Sequence, residues 1–238
     1  MKYLSVIIPV YNEGQRIKKT LDHVKEYLKN QDFDYEVLII NDGSTDYSEE
    51  EIKNQIKNWP KFIYFSYQPN QGKGAAVKYG VEKALSQYIL FMDADESTPI
   101  DQFEPFKPFL SSCPVIIGSR YLKKGYIKIK QPIWRILFAR FSNRLIRWTL
   151  GLNISDTQCG FKLFEREAAE RIFPRMTLKR WGFDFEILLI AKKLGYPIRE
   201  VPVFWYHEKR SKVKMSDFLT TLSDLFKVRQ NLKKGRYN

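Results

Sequence analysis

The sequence predicts an α/β fold, a mostly parallel sheet flanked by helices, and three observations point to it. Apolar runs of strand length alternate with segments of helical periodicity, the pattern of right-handed βαβ units. Several runs, such as 36–40 and 88–92, lack polar alternation, as strands buried on both faces do. They end abruptly in acids and amides, at the sheet edge where open α/β folds place their ligands.

Taken in order, residues 4–10 form the first strand, with Pro9 at its end where a missing N–H is tolerated. Residues 14–29 have helical spacing through Ile17, Leu21, Val24 and Leu28. Residues 36–40 make a second strand, closed by 41–46, which carry turn chemistry and a helix N-cap candidate. A polar helix over 47–58 leads to a third strand at 62–67, and 71–76 open a helix that runs to about Gln87. The strand 88–92 follows and delivers Asp93-Ala94-Asp95-Glu96 at its tip; then come a loop–helix unit and a strand at 114–118.

Beyond residue 120 the pattern changes. Residues 133–150 read as a basic, aromatic helix with Trp134, Leu137, Phe138, Phe141, Leu145 and Trp148 on one face, flanked by Arg140, Arg144 and Arg147. Such a stripe either packs on the core or lies in a membrane interface. Short elements are expected at 161–164, 165–173 and 184–194, then a strand at 198–206 whose Pro202 makes it an edge. In the last segment Met215, Phe218, Leu219, Leu222, Leu225 and Phe226 share a helical face. The expected division is a catalytic domain over 1–213, with its membrane-facing helix at about 132–150, and an amphipathic basic helix and tail over 214–238.

Composition narrows the function classes. A chain of 238 residues with 44% hydrophobic and 15% aromatic side chains has ample core, which excludes general disorder. The net charge of +13 implies an anionic partner: nucleic acid, an acidic membrane surface or a phosphorylated substrate. Cys113 and Cys159 stand alone, which argues against structural zinc or a disulfide framework and fits a reducing compartment. The first strand is too short for a signal sequence, and no apolar run is long enough to span a bilayer.

The candidate chemistry lies at the strand tips: Tyr11-Asn12-Glu13, Asn41-Asp42 and Asp93-Ala94-Asp95. A parallel sheet brings them to one crevice, which would be strongly acidic without a divalent cation and hydroxyl donors. Asp93 and Asp95 can reach one hard cation, which binds few carboxylates plus substrate phosphates. Lys73 and Gly74 sit at a helix start, where backbone N–H groups favour a phosphate.

In order and spacing, residues 6–13, 41–46 and 93–95 resemble family 2 glycosyltransferases with the GT-A fold. The segments 118–121 and 156–164 are similar to those of the polyprenyl-phosphate sugar transferases, the dolichyl-phosphate mannose and glucose synthases; 180–186 and 211–213 lean to the glucose branch. The resemblance implies that Pro9, Tyr11, Glu13 and Asp42 bind the donor's base and ribose; Lys73 and Gly74, from their helix-start position, and Ala94, between the two acids, are also expected on the donor side. It implies that Asp93 and Asp95 hold Mg2+ or Mn2+ at the diphosphate. Arg120 and Arg135 would meet the acceptor phosphate, and Lys212 would close the site. Where mannose synthases often carry a glutamine that helps the metal, this chain reads Glu96-Ser97-Thr98, so Ser97 is left out of the metal shell.

The implied reaction moves glucose from UDP-glucose to a polyprenyl phosphate, with inversion, by a protein bound peripherally at the cytoplasmic membrane face. The attacking phosphate is mostly anionic near neutral pH, its second pKa being about 6, so no strong base is required. Asp95 is the best candidate for any residual base role, in competition with the metal. A GDP-mannose-dependent enzyme is the alternative within the family. A nucleic-acid binder is disfavoured because the acids cluster where a groove would be basic.

Overall fold

Strand β1 (Lys2–Val10) is fully buried from Leu4 to Ile8, and its residues alternate between two cores. Val6 and Ile8 pack with Ile17, Leu21 and Val24 of helix α1 (Ile17–Lys29); Ile7 packs on the other face with Ala76 and Val77 of α3 (Lys73–Lys83). A strand apolar on both sides is thereby sandwiched between helices. The computed structural model describes residues 2–123, 133–206 and 215–237, with the backbone course alone at 133–137 and 215–219.

The remaining strands are β2 (Tyr35–Asp42), β3 (Phe62–Tyr67), β4 (Ser86–Met92), β5 (Val115–Ser119), β6 (Phe161–Glu165) and β7 (Ile198–Pro202). The sheet order is β3-β2-β1-β4-β6-β5-β7. Strands β1 to β4 are parallel neighbours, and β5 pairs in parallel with β7. Strand β6 is antiparallel to both β4 and β5. The mostly parallel α/β sheet is as expected, and β7 with Pro202 is an edge.

Boundaries differ where hydrogen bonds compete with periodicity. Helix α3 ends at Lys83, not Gln87, because Ser86 and Gln87 join the β4 ladder. There Glu36, fully buried and ion-paired to Lys2 at 2.7 Å, accepts the Leu85 N–H at 2.6 Å. Helix α1 begins at Ile17 because the Gly14 N–H is directed to Asp46 Oδ2, 3.2 Å away. Helix α2 (Ser48–Ile56) follows that loop. The unit before β5 is a 3-10 helix, Ile100–Phe109, whose Pro105 and Pro108 cannot supply α-helical N–H donors.

In helix α4 (Ile133–Leu150) the described aromatics of the stripe, Phe138, Phe141 and Trp148, face outward, whereas Leu145 packs against the core. Trp148 is 82% exposed and Phe141 63%, while Ser142, Asn143, Ile146 and Leu150 face inward. Helices α5 (Arg166–Ile172) and α6 (Phe183–Lys193) cover the second face of the sheet. On α7 (Met215–Lys233) the expected single apolar face divides: Leu225 and Val228 enter the core, whereas Leu222 and Phe226 are exposed. Among the described residues no helix is long and apolar enough to cross a membrane.

Candidate active site

Parallel pairing puts the tips of β1, β2 and β4 on one edge, where they are tied together by short polar contacts. Asn12, at φ 54°, takes a left-handed turn that asparagine tolerates. Its Oδ1 accepts the Thr45 N–H at 2.7 Å, and its own N–H donates to Ser44 Oγ at 2.9 Å. The Glu13 N–H donates to Ser48 Oγ at 2.7 Å, and its carboxylate accepts Arg16 Nε at 2.7 Å. Pro9 is half-buried behind this turn, and Tyr11 is exposed.

Asp42 is 2% exposed and organises the next loop. Its carboxylate accepts the backbone N–H groups of Gln71 at 2.7 Å and Gly72 at 2.8 Å, and the Asn70 amide at 2.7 Å. A carboxylate has about four acceptor positions, so these bonds do not exhaust it. Gly72, at φ 108°, makes the sharp entry to α3. The helix start is occupied differently from a bare phosphate cradle, since the Ala75 N–H donates to Lys179 O at 3.0 Å. A Cβ on Gly74 would come within 2.8 Å of Phe183 Cβ, so packing alone requires a glycine there.

Lys73 forms an ion pair with Asp93 and lies 5.7 Å and 5.8 Å from the ring centroids of Trp181 and Phe183. Burial alone would lower the ammonium pKa, yet Asp93, then Asp184 and Asp95, hold it above its ordinary value. For Asp95, burial and then the charge of Asp93 push the carboxyl up; the Ser97 N–H, donating to Oδ1 at 3.0 Å, partly offsets this. The buried Ala94 supplies its carbonyl to Thr20 Oγ1 at 2.7 Å, docking the loop on α1. Glu96, at φ 58°, turns away to His23 and to Lys19 (3.0 Å).

These carboxylates fit a divalent cation, because a lysine ammonium already stands beside Asp93 as a positive charge. Among the described residues no three His, Cys, Asp or Glu side chains form a complete ligand set. A hard cation held by only two carboxylates takes its remaining ligands from water and phosphate.

Strand β6 decides what faces the carboxylates. Its antiparallel register sets Phe161 beside Met92 of β4 and Lys162 beside Ile117 of β5, so its leading loop enters between the two tips. A Cβ on Gly160 would fall 2.1 Å from Asp93 Oδ2, which makes the glycine a condition for the aspartate's position. Gly160→Ala should cut turnover on the order of 10²-fold by displacing Asp93, while far-ultraviolet circular dichroism stays unchanged. Unaltered turnover would show that Asp93 can move without consequence.

On the other side of this loop, Arg120 at the β5 tip is braced by Asp156. Its Nε and Nη2 donate to the two carboxylate oxygens at 2.7 and 2.8 Å. Burial would raise the Asp156 pKa, but Arg120 holds it below the usual carboxylate range. Burial opposes the Arg120 charge too, and Asp156 holds that guanidinium above its ordinary value. The loop carrying Asp156 is gripped by Glu200, which accepts the Ser155 N–H at 2.7 Å, and by Asn143 of α4, which donates to Ser155 O at 2.6 Å. Cys159 lies between the two halves, its thiol pushed up to about 12 by burial, so it serves as filler and not as a nucleophile.

Pro9, Tyr11, Glu13, Asp42, Lys73, Gly74, Asp93, Ala94 and Asp95, the residues expected on the donor side, thus border one edge, with Arg120 across the Cys159-Gly160 step. Arg135 is in α4 with its side chain outside the described residues, and Lys212 lies outside them altogether. Sequence reasoning singled out none of Gly160, Lys162 and Asp156 as site determinants. A lysine flanked by Phe161 and Leu163 in a buried strand was the available signal.

Comparison with known proteins agrees with this geometry. The glycosyl transferase family 2 model matches residues 5–173. A dolichyl-phosphate beta-glucosyltransferase of Trichomonas vaginalis is 37% identical over 237 residues, covering 95% of this chain and 72% of that protein. Its counterpart in Dictyostelium discoideum is 35% identical over 241 residues, covering 95% and 74%. Among solved structures, glucosyl-3-phosphoglycerate synthase from Mycobacterium tuberculosis, in complex with Mn2+, UDP-glucose and glycerol 3-phosphate, superposes with a TM-score of 0.67. That match has 17% identity and covers 96% of this chain and 80% of the other, a likeness of fold. Its strand-tip acids, its β6 insertion and these relatives all agree: the chain belongs to glycosyl transferase family 2, with the dolichyl-phosphate beta-glucosyltransferases among its relatives.

Proposed function

We propose that this protein transfers glucose from UDP-glucose to a dolichyl-type polyprenyl phosphate, inverting the anomeric carbon. The observation that carries the reading is the two-sided site, with Asp93 and Asp95 on one side of Cys159-Gly160 and Arg120, braced by Asp156, on the other. It divides a diphosphate that leaves from a monophosphate that attacks.

Tyr11, Glu13 and Asp42 border the base and ribose. Asp93 and Asp95 would hold Mg2+ or Mn2+, and Lys73 stands beside them on the diphosphate side. The cation, when bound, supplies charge stabilisation for the departing nucleoside diphosphate. Arg120 orients the acceptor phosphate as a planar fork; its five N–H donors exceed the two engaged by Asp156. The family resemblance assigns Arg135 and Lys212 to the acceptor phosphate as well. A single displacement on an α-linked donor yields a β-linked product, and an anionic phosphate needs no proton removed before it attacks.

The exposed Phe141 and Trp148 of α4, with exposed Arg140 and Arg144 beside them, support peripheral binding to a membrane surface. Leu222 and Phe226 of α7, which packs against α4, are exposed as well. In this reading residues 1–213 are the catalytic domain and 214–238 its amphipathic extension.

The experiment is a donor and acceptor screen on purified protein with Mn2+. UDP release from UDP-glucose should depend on added dolichyl phosphate and give a β-linked lipid product. Release from GDP-mannose instead would reassign the donor. Transfer to a soluble phosphorylated acceptor, with none to the lipid, would overturn the acceptor assignment.

A further inference from the structure

A second network, remote from the reacting groups, ends on the same carboxylates. It begins at Glu186 of α6, which is fully buried. Its carboxylate accepts the Thr177 N–H at 3.0 Å, the Thr177 hydroxyl at 2.6 Å and the Leu178 N–H at 2.8 Å. Its remaining described contact comes from beyond α7, where the Tyr237 hydroxyl donates to Oε1 at 2.7 Å. The Tyr237 ring is 1% exposed, so this bond is sealed from water. Asn231 of α7 adds a donor to Thr177 Oγ1 at 3.0 Å.

Further along the helix, Asp224 is 5% exposed and lies against Gly182. A Cβ on Gly182 would be 2.7 Å from the Asp224 carboxylate. Helix α7 therefore holds both ends of the segment 177–183. That segment in turn shapes the start of α3: Lys179 O accepts the Ala75 N–H, and Lys179 Nζ donates to Gln71 Oε1 at 2.9 Å. Trp181 and Phe183 form the aromatic wall beside the Lys73 ammonium, which pairs with Asp93.

We infer that Tyr237 and Asp224 are positioning residues for the Lys73–Asp93 pair, acting through Glu186, Gly182 and the 177–183 segment. The inference rests on the reading of Asp93 as a ligand of the cation at the diphosphate. A buried carboxylate that loses a donor is left under-satisfied at a cost in free energy, which loosens its hold on the amides of the segment it anchors. Small displacements of a positioning group are enough to weaken a site built to sub-ångström tolerance.

The test uses the full chain, with Tyr237→Phe, which keeps the ring and removes only the hydroxyl, and Asp224→Asn. Affinity for UDP with Mn2+ is measured by titration calorimetry, and hydrogen exchange is followed in a peptide spanning 174–186. Each variant should bind UDP–Mn2+ about 3–10-fold more weakly, with faster exchange in that peptide and an unchanged KM for the lipid acceptor. A merely structural role would lower the unfolding temperature and leave the affinity within twofold, and that result overturns the inference. If one variant fails to fold, the other decides. Asp93→Asn is run alongside: if it leaves UDP–Mn2+ affinity intact, the reading of Asp93 is at fault. If it abolishes binding while Tyr237→Phe and Asp224→Asn do not change it, the positioning role alone is wrong.

Discussion

Asp95→Ala should reduce glucosyl transfer on the order of 10³-fold, about 4 kcal/mol of barrier, because in the proposed site it removes one of two carboxylates at the point where leaving-group charge develops. The fold should survive. Burial and the neighbouring Asp93 raise the Asp95 carboxyl, so ionising it is harder in the folded protein than in the unfolded chain. The sign follows: a carboxyl raised above its unfolded value costs stability once pH exceeds the unfolded value. Asp95→Asn should therefore unfold at a temperature equal to or above the parent's while losing activity. Thermal unfolding and a metal titration check both halves. Activity retained by either variant without added metal would remove Asp95 from the cation site.

The second large effect concerns stability. Lys162 has a side chain 0% exposed, ion-paired to Asp184 and donating to Cys159 O at 2.6 Å. Asp184→Ala would leave that ammonium buried and uncompensated, at a cost of about 3–5 kcal/mol. For a domain of this size that is a fall in unfolding temperature of roughly 6–20 °C. Replacing both partners, Lys162→Met with Asp184→Ala, should recover much of the loss, since neither charge then requires solvation. A single variant within about 1 kcal/mol of the parent, or a double variant no better than the single, would show that water reaches this pair.

The two effects meet in one place. Asp184 also helps hold the Lys73 ammonium charged, so the site contains alternating charges from Lys162 through Asp184 and Lys73 to Asp93. Buried charges of alternating sign are costly to assemble and stable once assembled, and they hold their members in place.

The acidic tips were legible in the sequence because parallel strands follow a topological rule. Once 4–10, 36–40 and 88–92 read as buried strands joined by helices, Glu13, Asp42, Asp93 and Asp95 had to share an edge. The helix limits were less legible, since periodicity does not register a competing ladder; Ser86 and Gln87 belong to β4 for that reason. The aromatic stripe of α4 was ambiguous by nature. Apolar spacing defines a face but not its direction, and only the inward Asn143, bonded to the 155–157 loop, shows which side docks.

By itself the sequence determined the βαβ order, the strand tips that carry acids and the family motifs, all properties of local pattern. Tertiary structure decided the direction of β6, because a five-residue apolar run pairs equally well either way. That direction places Gly160 against Asp93 and Asp156 against Arg120, and so sets the acids and the braced arginine on opposite sides of the Cys159-Gly160 step. It also decided that Tyr237 reaches Glu186, a contact across 51 residues that no periodicity encodes. Long-range polar contacts of this kind depend on where a buried donor finds an acceptor, which only the packed chain determines.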